Sequence, residues 1–352
     1  MAFFSVCMIT RNEAHRLPDC LRALKALDAE IIVADSDSTD NTADIARSFG
    51  ARVHAFSWCD DFSAARNFAA AKASSDIILA VDADEVLTDA DTDALQKAYT
   101  SHDNACGMIL RVSETDTNGE IQRMHERIAR LYDRRLFCYH GTIHETLAPH
   151  DASLAFSFYH IPLTFSHSGY DTSEKRREKA KRDLRLLQTA YAADDTDPYL
   201  CYQIGKCHVA LRQHREACAW FEKGLSFGAN ERLQYVREMA VAFGYALLEC
   251  GENEKALSFL AQNERFADGA DYTFLAGLIL MNNARFQDAI DAFRRATAFP
   301  DCTVEGVNSF RALYNMGVIY EVSGDLTKAV SLYKQCGQFA PALARLSALS
   351  AS

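Results

Sequence analysis

The spacing of hydrophobic and polar positions changes character near the middle of the chain. Up to about residue 111, short apolar runs alternate with segments that carry apolar residues at helical spacing. This alternation is typical of β-α-β units and a mostly parallel sheet. The predicted strands are Phe3–Ile9, Glu30–Ala34, Arg52–Ala55 and Ile77–Val81, and the predicted helices are Arg16–Leu27, Ser38–Phe49 and Asp60–Lys72.

Beyond these units the pattern predicts two more strands and then only helices. The strands are Met108–Val112 and Leu154–Ser166, and from about Ser173 onward the apolar spacing is helical throughout. A chain of 352 residues is long enough for about two domains. We expect an α/β domain over residues 1–172, a basic linker helix over 173–196 and a helical domain over 197–352.

A glycine followed by an alanine twelve residues later recurs through the helical half. The pairs are Gly205 with Ala217, Gly244 with Ala256, Gly277 with Ala289, and Gly317 with Ala329. Small residues at fixed places let the two helices of a hairpin approach closely. In three units an aromatic residue follows four positions later (Phe221, Phe293 and Tyr333), and we expect it to fill the space between successive hairpins. These positions resemble the tetratricopeptide repeat, which implies an all-α solenoid, with a generic helical bundle as the alternative.

Polar clusters follow three of the predicted strands at the point where each strand ends. They are Thr10-Arg11-Asn12-Glu13, Asp35 to Asp40, and Asp82-Ala83-Asp84-Glu85. Because the carboxyl ends of parallel strands line one crevice of an open α/β sheet, the three clusters should converge on one ligand. Two aspartates one residue apart repel each other, and a divalent ion that holds a diphosphate would resolve that charge. A solvated polar turn is the alternative interpretation of the pair.

The ordered motifs of the first half resemble the family 2 glycosyltransferases of the GT-A fold over about residues 2–170. In that family the first strand ends Thr-Arg-Asn-Glu, the second ends in a pattern like Asp-Ser-Gly-Ser-Thr-Asp, and the metal motif is Asp-Ala-Asp-Glu. The segment from Trp58 to Asn67 also resembles the segment that precedes the metal strand. Asp37 stands where glycine is usual, and we expect aspartate to adopt the positive φ that this turn requires.

The resemblance implies a set of residues that bind a nucleotide-sugar donor. They are Thr10, Arg11, Asn12, Glu13, Asp35, Asp37, Arg66, Asp82, Ala83, Asp84 and His144. The cluster after the first strand would lie near the base and ribose, the aspartates after the second near the base edge, and Arg66 near the diphosphate or the uridine. Asp82 would contact ribose or metal, and Asp84 would bind the metal.

Two later motifs match segments of the same family. They are Gly141-Thr-Ile-His144-Glu145 and Phe165-Ser-His167-Ser-Gly169-Tyr170. The resemblance implies that Glu145 is the general base, because inverting transfer needs a carboxylate that takes the proton of the attacking acceptor. His167 would join Asp82 and Asp84 as a third metal ligand, and His144 would orient Glu145 or touch the diphosphate.

Several of these residues have simpler structural alternatives. Thr10 and Asn12 could satisfy backbone groups at the strand ends, and Arg66 could be a surface arginine of a helix. His167 could be an ordinary core or surface histidine. Glu126 and Glu114 are the other candidates for the base, and Asp40 is assigned to the cap of the following helix rather than to a ligand.

Composition and cysteine spacing bear on the partners and the compartment. The formal net charge of −11 argues against a general nucleic-acid binder, because phosphate backbones need a basic face. The 11 cysteines have no paired spacing, so we expect buried free thiols in a reducing cytosol rather than disulfides or a zinc site. With no basic leader and no apolar run near the ~20 residues that span a bilayer, the sequence predicts a cytoplasmic protein.

Two basic stretches stand out in this acidic chain. Glu174 to Arg185 is expected to be a solvated helix face, with a surface for phosphate, an anionic glycan or a peripheral membrane contact as the alternative. The second stretch is predicted to line the sugar-phosphate side of the crevice and consists of Arg127, Arg130, Arg134 and Arg135.

Together the motifs predict a metal-dependent inverting glycosyltransferase that uses Mn²⁺ or Mg²⁺ and a UDP-linked sugar. A GT-A domain followed by such repeats resembles the bacterial transferases that glycosylate peptides or proteins, including the sublancin-type S-glycosyltransferases. The repeats would recruit the peptide or protein acceptor, and could also join copies into a homo-oligomer.

Three other functions stay open at this point. One is a transferase that builds a glycan for lipopolysaccharide or capsule, and another is a tetratricopeptide scaffold with an inactive transferase domain. The third is a nucleotidyltransferase on a related sheet. It is disfavoured because no glycine follows Arg11-Asn12-Glu13, where a phosphate-binding loop would need one.

Overall fold

The computed structural model describes residues 2–117, 120–168 and 173–351. The chain divides into two compact units, Met1–Tyr170 and Asp171–Ser352. Each unit has hydrophobic clusters of its own. Within the described ranges, no helix combines the length and the apolar character that crossing a membrane requires.

The first unit contains an eight-stranded sheet and a separate two-stranded sheet. The order of the large sheet is β3-β2-β1-β4-β7-β6-β10-β5, and β8 pairs with β9. The strands are β1 Ser5–Thr10, β2 Glu30–Asp35, β3 Arg52–Ala55, β4 Ile77–Asp82, β5 Glu85–Ala90, β6 Ala105–Thr117, β7 Glu120–Asp133, β8 Phe137–His140, β9 Thr146–Pro149 and β10 Ser157–Ser168.

The first four strands form the parallel half of the large sheet, as the sequence predicted. β1 pairs in parallel with β2 and β4, and β2 with β3. β7 runs antiparallel to both β4 and β6, whereas β10 is parallel to β6 and antiparallel to β5. The helices of this unit are α1 Leu17–Leu24, followed by a 3₁₀ turn Lys25–Leu27, α2 Thr42–Ser48, α3 Phe62–Lys72 and α4 Thr92–Thr100.

Alternate residues of the central strands enter two different hydrophobic clusters. Leu79 and Val81 lie in one cluster, whereas Ile78 and Ala80 lie in the other. Both faces of this part of the sheet are therefore covered by apolar side chains. This explains why the parallel strands have uninterrupted apolar sequences, the property by which they were predicted.

The strand β7 escaped prediction because charged residues interrupt its apolar pattern. Its sequence EIQRMHERIARLYD places Arg130 in the interior, with only 5% of its surface exposed. Such a residue needs charged partners that come from other strands. Helix α2 also begins later than expected, at Thr42 rather than Ser38, because Ser38 bonds instead to Asp35.

The second unit is helical throughout, as expected. Its helices are α5 Ser173–Ala193, α6 Pro198–Ala210, α7 His214–Ser226, α8 Gln234–Glu249, α9 Asn253–Gln262, a 3₁₀ turn Glu264–Phe266, α10 Ala270–Asn282, α11 Phe286–Ala296, α12 Phe310–Val322, α13 Leu326–Gln335 and α14 Ala340–Ala351. The basic helix α5 lies in this unit, where Leu187 is buried and the ring of Tyr191 packs edge-on against Trp220, with the centroids 4.9 Å apart.

The repeat glycines make room for aromatic rings of their own hairpins. A Cβ atom on Gly277 would lie 2.5 Å from the ring of Phe293, and one on Gly317 would lie 2.6 Å from Tyr333. Gly205 meets Phe221 in the same way. The expectation that the aromatic residue fills the space between successive hairpins is therefore corrected, because the ring fills the space inside its hairpin.

The second repeat uses a different contact, since it has no aromatic residue at the equivalent position. The space above Gly244 is taken by Leu275, which belongs to α10 of the next hairpin. A side chain from the neighbouring repeat thus replaces the missing ring.

Candidate active site

The ends of β1 and β2 are adjacent because the two strands pair in parallel with Thr10 opposite Asp35. The Thr10 hydroxyl donates to Asp35 Oδ1 over 3.2 Å. The hydroxyl of Ser38 donates to the same oxygen over 2.6 Å, and its backbone N–H donates to Oδ2 over 3.2 Å. Asp35 therefore organises the loop after β2.

Two loop residues adopt positive φ where the chain turns at this edge. Asp37 has φ 56°, which confirms the conformation expected where the family usually has glycine, and Asn12 has φ 57°. Asn12 Oδ1 accepts a hydrogen bond of 2.8 Å from the backbone N–H of Thr39. Asp37 accepts one of 3.3 Å from the backbone N–H of Trp58. The loop after β2 is thus bonded to the loop after β1 and to the segment that begins at Trp58.

Arg11 and Glu13 of the first cluster, and Asp40 of the second, lie farther along these two loops. Arg11 is exposed, whereas the backbone N–H of Glu13 donates to the hydroxyl of Thr42 over 2.8 Å. Asp40 accepts from the backbone N–H of Thr42 over 3.0 Å, but the N-cap of α2 is Asn41, so the assignment of Asp40 to the cap is corrected by one residue. Contacts of these loops with a nucleotide stay a prediction.

Asp82 ends β4 between two arginines. Arg66 Nη2 donates to Oδ1 over 2.7 Å, and Arg130 Nη2 donates to Oδ2 over 2.5 Å. Burial raises the pKa of Asp82, but the charges of Arg130 and Arg66 outweigh it and hold that pKa well below its ordinary value. Both oxygens of Asp82 are therefore engaged by protein cations.

Glu85 holds both the Asp82 backbone and Arg130 in place, and it was not among the predicted site residues. It is fully buried, and its Oε2 accepts a hydrogen bond of 3.1 Å from the backbone N–H of Asp82. Its Oε1 accepts from Arg130 over 3.2 Å and lies 3.6 Å from Arg111 Nη1. Arg111 in turn pairs with Glu126 over 2.9 Å. The fourth residue of the Asp-Ala-Asp-Glu motif thus fixes the backbone of the first.

Asp84 and His167 meet at the same edge of the sheet. His167 Nε2 lies 3.2 Å from Asp84 Oδ2, and Arg16 Nη1 lies 3.7 Å from the same oxygen. The contact arises because β5 and β10 pair antiparallel with His167 opposite Glu85. Ala83, between the two aspartates, is buried. Two of the three predicted metal ligands are therefore neighbours.

The third predicted metal ligand does not join this pair. Asp82 is held by arginines, and in the part of the chain that the structure describes no group of three or more His, Cys, Asp or Glu side chains is arranged to hold a metal ion. Asp84 and His167 still fit a divalent ion that takes its other ligands from a diphosphate and water, as Mg²⁺ commonly does. The fit involves one carboxylate and one imidazole.

Glu145, the predicted base, is anchored through Arg66. The Arg66 Nε–H donates to Glu145 Oε1, and only 11% of the Glu145 side chain is exposed. Helix α3 holds the segment before Glu145, because Phe62 N–H donates to the Thr142 carbonyl over 2.8 Å and the Ser63 hydroxyl donates to the Gly141 carbonyl over 2.6 Å. His144 precedes the base with φ 53°.

Arg66 itself is an interior residue, so the alternative of a surface arginine is wrong. It is 7% exposed, and its guanidinium carbon lies 5.3 Å from the centre of the Tyr139 ring. Burial lowers the pKa of Arg66, but the charges of Asp82 and Glu145 raise it above its ordinary value. The guanidinium is permanently charged in this site.

Parts of the predicted basic lining and of the later motifs lie elsewhere. Arg134 bonds to Asp76 and to the carbonyls of Ala70 and Ala73, which places it with Arg135 near the first residue of β4 rather than near its carboxyl end. The expectation that these two line the crevice is therefore corrected, whereas Arg130 does reach Asp82. Gly169 and Tyr170 lie outside the described residues.

The two alternative base candidates have arginine partners of their own. Glu126 pairs with Arg111, and Glu114 pairs with Arg123 over 2.8 Å. Neither pair has a bond to Arg66 among the described contacts. Sequence reasoning missed Arg111, and it placed Glu85 in a polar cluster without giving it a role. The charged positions of β7 are the signal that could have indicated both, because Arg130 pairs with Glu85 and Glu126 with Arg111.

Comparison with protein families supports the division into two kinds of structure. Residues 5–160 match the model of glycosyl transferase family 2. Residues 198–227 and 310–342 match the tetratricopeptide repeat. The first match contains the ends of β1, β2 and β4 but stops before His167 at the end of β10, and the second contains the first and the last of the glycine-aromatic hairpins.

Similar proteins come from several bacteria and from a bacteriophage. A TPR repeat-containing protein of Synechococcus elongatus is 33% identical over 66% of this chain and 58% of its own length. The SPbeta prophage-derived glycosyltransferase SunS of Bacillus subtilis is 28% identical over 62% of this chain and 52% of its own. An uncharacterized glycosyltransferase of Rickettsia bellii is 31% identical over 62% of this chain and 74% of its own.

The alignments thus span little more than half the length of the first two of these relatives. Among solved structures, YrrB, described as a TPR protein with an unusual peptide-binding site, is 22% identical over 48% of this chain and 84% of its own, with a TM-score of 0.39. A crystal structure of MamA is 20% identical over 47% of this chain and 92% of its own, also with a TM-score of 0.39.

Proposed function

Because the chain belongs to the family 2 glycosyltransferases, we propose that it transfers a sugar from a UDP-linked donor to a peptide or protein acceptor, with inversion at the anomeric carbon. The observation that carries this proposal is the meeting of Asp84 with His167 at the carboxyl edge of β4, close in sequence to Asp82, which shares Arg66 with Glu145. Asp82, which would lie beside the donor, and the candidate base are bonded to the same arginine.

The donor would lie across the carboxyl ends of the parallel strands. The loops after β1 and β2 present Asn12 and Asp37, both exposed, to the space where a base and ribose would bind. Asp84 and His167 would hold a divalent ion, Mn²⁺ or Mg²⁺. Bound there, the ion would neutralise the charge that develops on the departing diphosphate.

Glu145 would act on the acceptor. Its carboxylate takes the proton of the acceptor hydroxyl or thiol as that oxygen or sulfur forms a bond to the anomeric carbon. The bond between that carbon and the diphosphate oxygen breaks on the opposite face, and its electron pair leaves with the diphosphate. The proton ends on Glu145, so charge and atoms balance.

The repeat domain supports a peptide or protein as the acceptor. Solenoids of helical hairpins present extended surfaces that suit an extended chain. The relative SunS is named as a glycosyltransferase. A glycan acceptor, as in the building of lipopolysaccharide or capsule, is the second candidate, because the transferase half has the same motifs in either case.

The free cysteines support a reducing compartment. All 11 cysteines are free thiols, and seven of the described ones are buried, including Cys7, Cys20 and Cys106. Burial raises the pKa of the Cys7 thiol to about 12, which keeps it protonated and unreactive. We accordingly propose a cytoplasmic location.

Donor hydrolysis in the absence of an acceptor tests the proposal. The full chain is incubated with a panel of UDP-hexoses and UDP-N-acetylhexosamines, with Mn²⁺, with Mg²⁺ or with EDTA. We expect slow release of UDP from one donor, dependent on a divalent ion. Absence of both UDP binding and UDP release with every donor and ion would overturn the proposal and favour the scaffold function.

A further inference from the structure

Arg66 joins two carboxylates that come from distant parts of the first unit. Its Nη2 bonds to Asp82, 16 residues away, and its Nε bonds to Glu145, 79 residues away. The planar guanidinium presents these donors in a fixed geometry, which a flexible ammonium group cannot reproduce. A single side chain therefore sets the distance between the donor-side aspartate and the candidate base.

The surroundings of Arg66 hold it in place from both sides. Asn67, the next residue of α3, donates to the Tyr139 carbonyl and accepts from the Tyr139 backbone N–H, both over 2.9 Å. Tyr139 belongs to β8, which leads into the segment that carries Glu145, and its ring lies against the guanidinium. Helix α3 and β8 thus form a rigid support for the pair of Arg66 and Glu145.

Two buried arginines share three carboxylates around Asp82. Asp82 accepts from both Arg66 and Arg130, and each arginine has one further carboxylate, Glu145 for Arg66 and Glu85 for Arg130. Arg66 Nη1 is buried without a hydrogen-bond partner. Burying a charged group with an unpaired donor costs free energy of folding. Stability of helix α3 therefore does not explain why Arg66 is buried here.

Burial also argues against Arg66 as a direct ligand of the diphosphate. Its side chain is 8% exposed, compared with 26% for Asp82 and 24% for Asp84. A group so enclosed would have to break two charged hydrogen bonds before it could reach a phosphate. By contrast, its present contact leaves Glu145 Oε2 without a hydrogen bond among those described for this unit.

We propose that Arg66 is a positioning residue, which holds one oxygen of Glu145 so that the other is presented to the acceptor proton, and which ties this base to Asp82. The inference rests on the proposed function and deepens it. It replaces the expectation that Arg66 binds the diphosphate or the uridine. Loss of the Arg66 guanidinium, with its bonds to Asp82 and Glu145, should misplace the base. A displacement of about 1 Å at a reacting group can cost about 10²-fold in rate.

The test compares Arg66→Lys with the wild-type chain in metal-dependent donor hydrolysis, in which water replaces the acceptor. We expect kcat to fall by about 10²-fold while donor KM changes by less than about threefold, because only the base is misplaced. Arg134→Lys is the matched control, since Arg134 also bonds to α3 but at the opposite end of β4. Its kcat should stay within about twofold of the wild type.

A double-mutant cycle separates positioning from a general structural effect. If Arg66 acts through Glu145, Arg66→Lys should lower kcat by less than about threefold in the Glu145→Gln background. An unchanged 10²-fold loss in that background would contradict the proposal. A raised donor KM with unchanged kcat would also overturn it and restore Arg66 as a donor ligand.

Ser63→Ala provides a second variant if Arg66→Lys does not fold. It removes the bond to the Gly141 carbonyl and loosens the Glu145 segment without altering a charge. The same pattern is expected at smaller size, with kcat reduced and donor KM unchanged. A raised donor KM would contradict the proposal here as well. An inactive wild-type chain, in contrast, would refute the proposed function itself.

Discussion

The Asp82 cluster of the first unit and the glycine contacts of the second unit are both tightly packed interiors, but they use opposite chemistry. At Gly277 an aromatic ring fills the space left by a missing Cβ atom, and the contact joins residues 16 positions apart. At Asp82 two buried arginines share one carboxylate, and the partners lie 16 and 48 positions away. One interior is apolar, whereas the other is charged and draws one of its partners from a more distant segment.

This difference separates the parts of the molecule that stabilise it from the parts that act. Apolar packing contributes stability wherever shapes match. Buried ion pairs contribute little net stability, because the desolvation of each charge offsets most of the attraction. The role that we propose for Arg66 therefore accounts better than stability does for a cluster that contains Arg66, Arg130, Asp82 and Glu85.

The largest expected effect comes from the exposed edge of the charged cluster. Asp84→Ala should abolish metal-dependent UDP binding while the fold is retained, because Asp84 is a partly exposed strand-end residue and not part of the apolar core. Titration calorimetry with UDP and Mn²⁺ measures this directly. Asp89→Ala, an exposed substitution at the other end of β5, is the control. Undiminished metal-dependent affinity in Asp84→Ala would refute the metal assignment.

Replacing the base should have the next largest effect. Glu145→Gln keeps the shape and a hydrogen-bond acceptor but cannot take the proton, so we expect kcat to fall by about 10²- to 10⁴-fold with donor affinity retained. Turnover and UDP affinity are measured on the same preparation, with Glu222→Gln, an exposed substitution in α7, as control. Equal turnover in wild type and Glu145→Gln would direct attention to Glu126 or Glu114.

The same variant bears on the acceptor. If the acceptor is a cysteine already present as thiolate, less proton transfer is needed, and the loss of rate should shrink as the pH rises. A hydroxyl acceptor would show no such recovery below its own pKa. The pH dependence of the Glu145→Gln defect therefore distinguishes S-linked from O-linked transfer.

The two interiors also differ in how far the sequence could predict them. The glycine-alanine interval and the parallel strands were predicted because apolar periodicity and small residues act over short ranges along the chain. Asp84 and His167 were identified through a resemblance to a family. Their meeting required the antiparallel pairing of β10 with β5, and β5 was not among the predicted strands. Register between distant strands is decided by tertiary packing.

The partners of Arg66 were beyond prediction for the same reason. Nothing within α3 indicates that its arginine points inward, since alanine-rich helices commonly carry exposed arginines. Its burial follows from the position of β8, which was not predicted, and from the ring of Tyr139. Charged pairs of this kind leave no periodic trace in a single sequence.

Removing the second unit tests whether the repeats contribute to transfer. A chain that ends at residue 172 should still bind UDP with metal and hydrolyse donor slowly, whereas transfer to acceptor should show an acceptor KM raised by at least about tenfold. The cut avoids α5, because Leu186 and Leu187 are buried in the second unit and would be divided from their neighbours. The measurement compares acceptor KM with donor KM.

The result has a clear contrary outcome. Should the shortened chain fold and transfer to its full acceptor with unchanged efficiency, the repeats do not recruit acceptor. Assembly with another subunit would then be their better explanation, and sedimentation of the full chain would show whether copies associate through them. If the shortened chain is poorly soluble, the repeats are expressed separately and added back to it.

The smallest effect on catalysis is expected from the glycine contacts, where the cost should be purely one of stability. Gly277→Ala gains about 1 kcal/mol in helix propensity, yet its Cβ atom would lie 2.5 Å from the rigid ring of Phe293. Overpacking of this kind costs about 1–3 kcal/mol, so we expect net destabilisation with donor hydrolysis unchanged. Denaturant unfolding and UDP release are measured on the same protein.

Gly224→Ala is the matched comparison for Gly277→Ala. A Cβ atom on Gly224 would lie nearest to the flexible Met239 side chain, at 2.6 Å, so this variant should be less destabilised. Equal losses in the two variants would show that rigidity of the aromatic ring does not decide the cost, and a fall in hydrolysis would show that the two interiors are coupled.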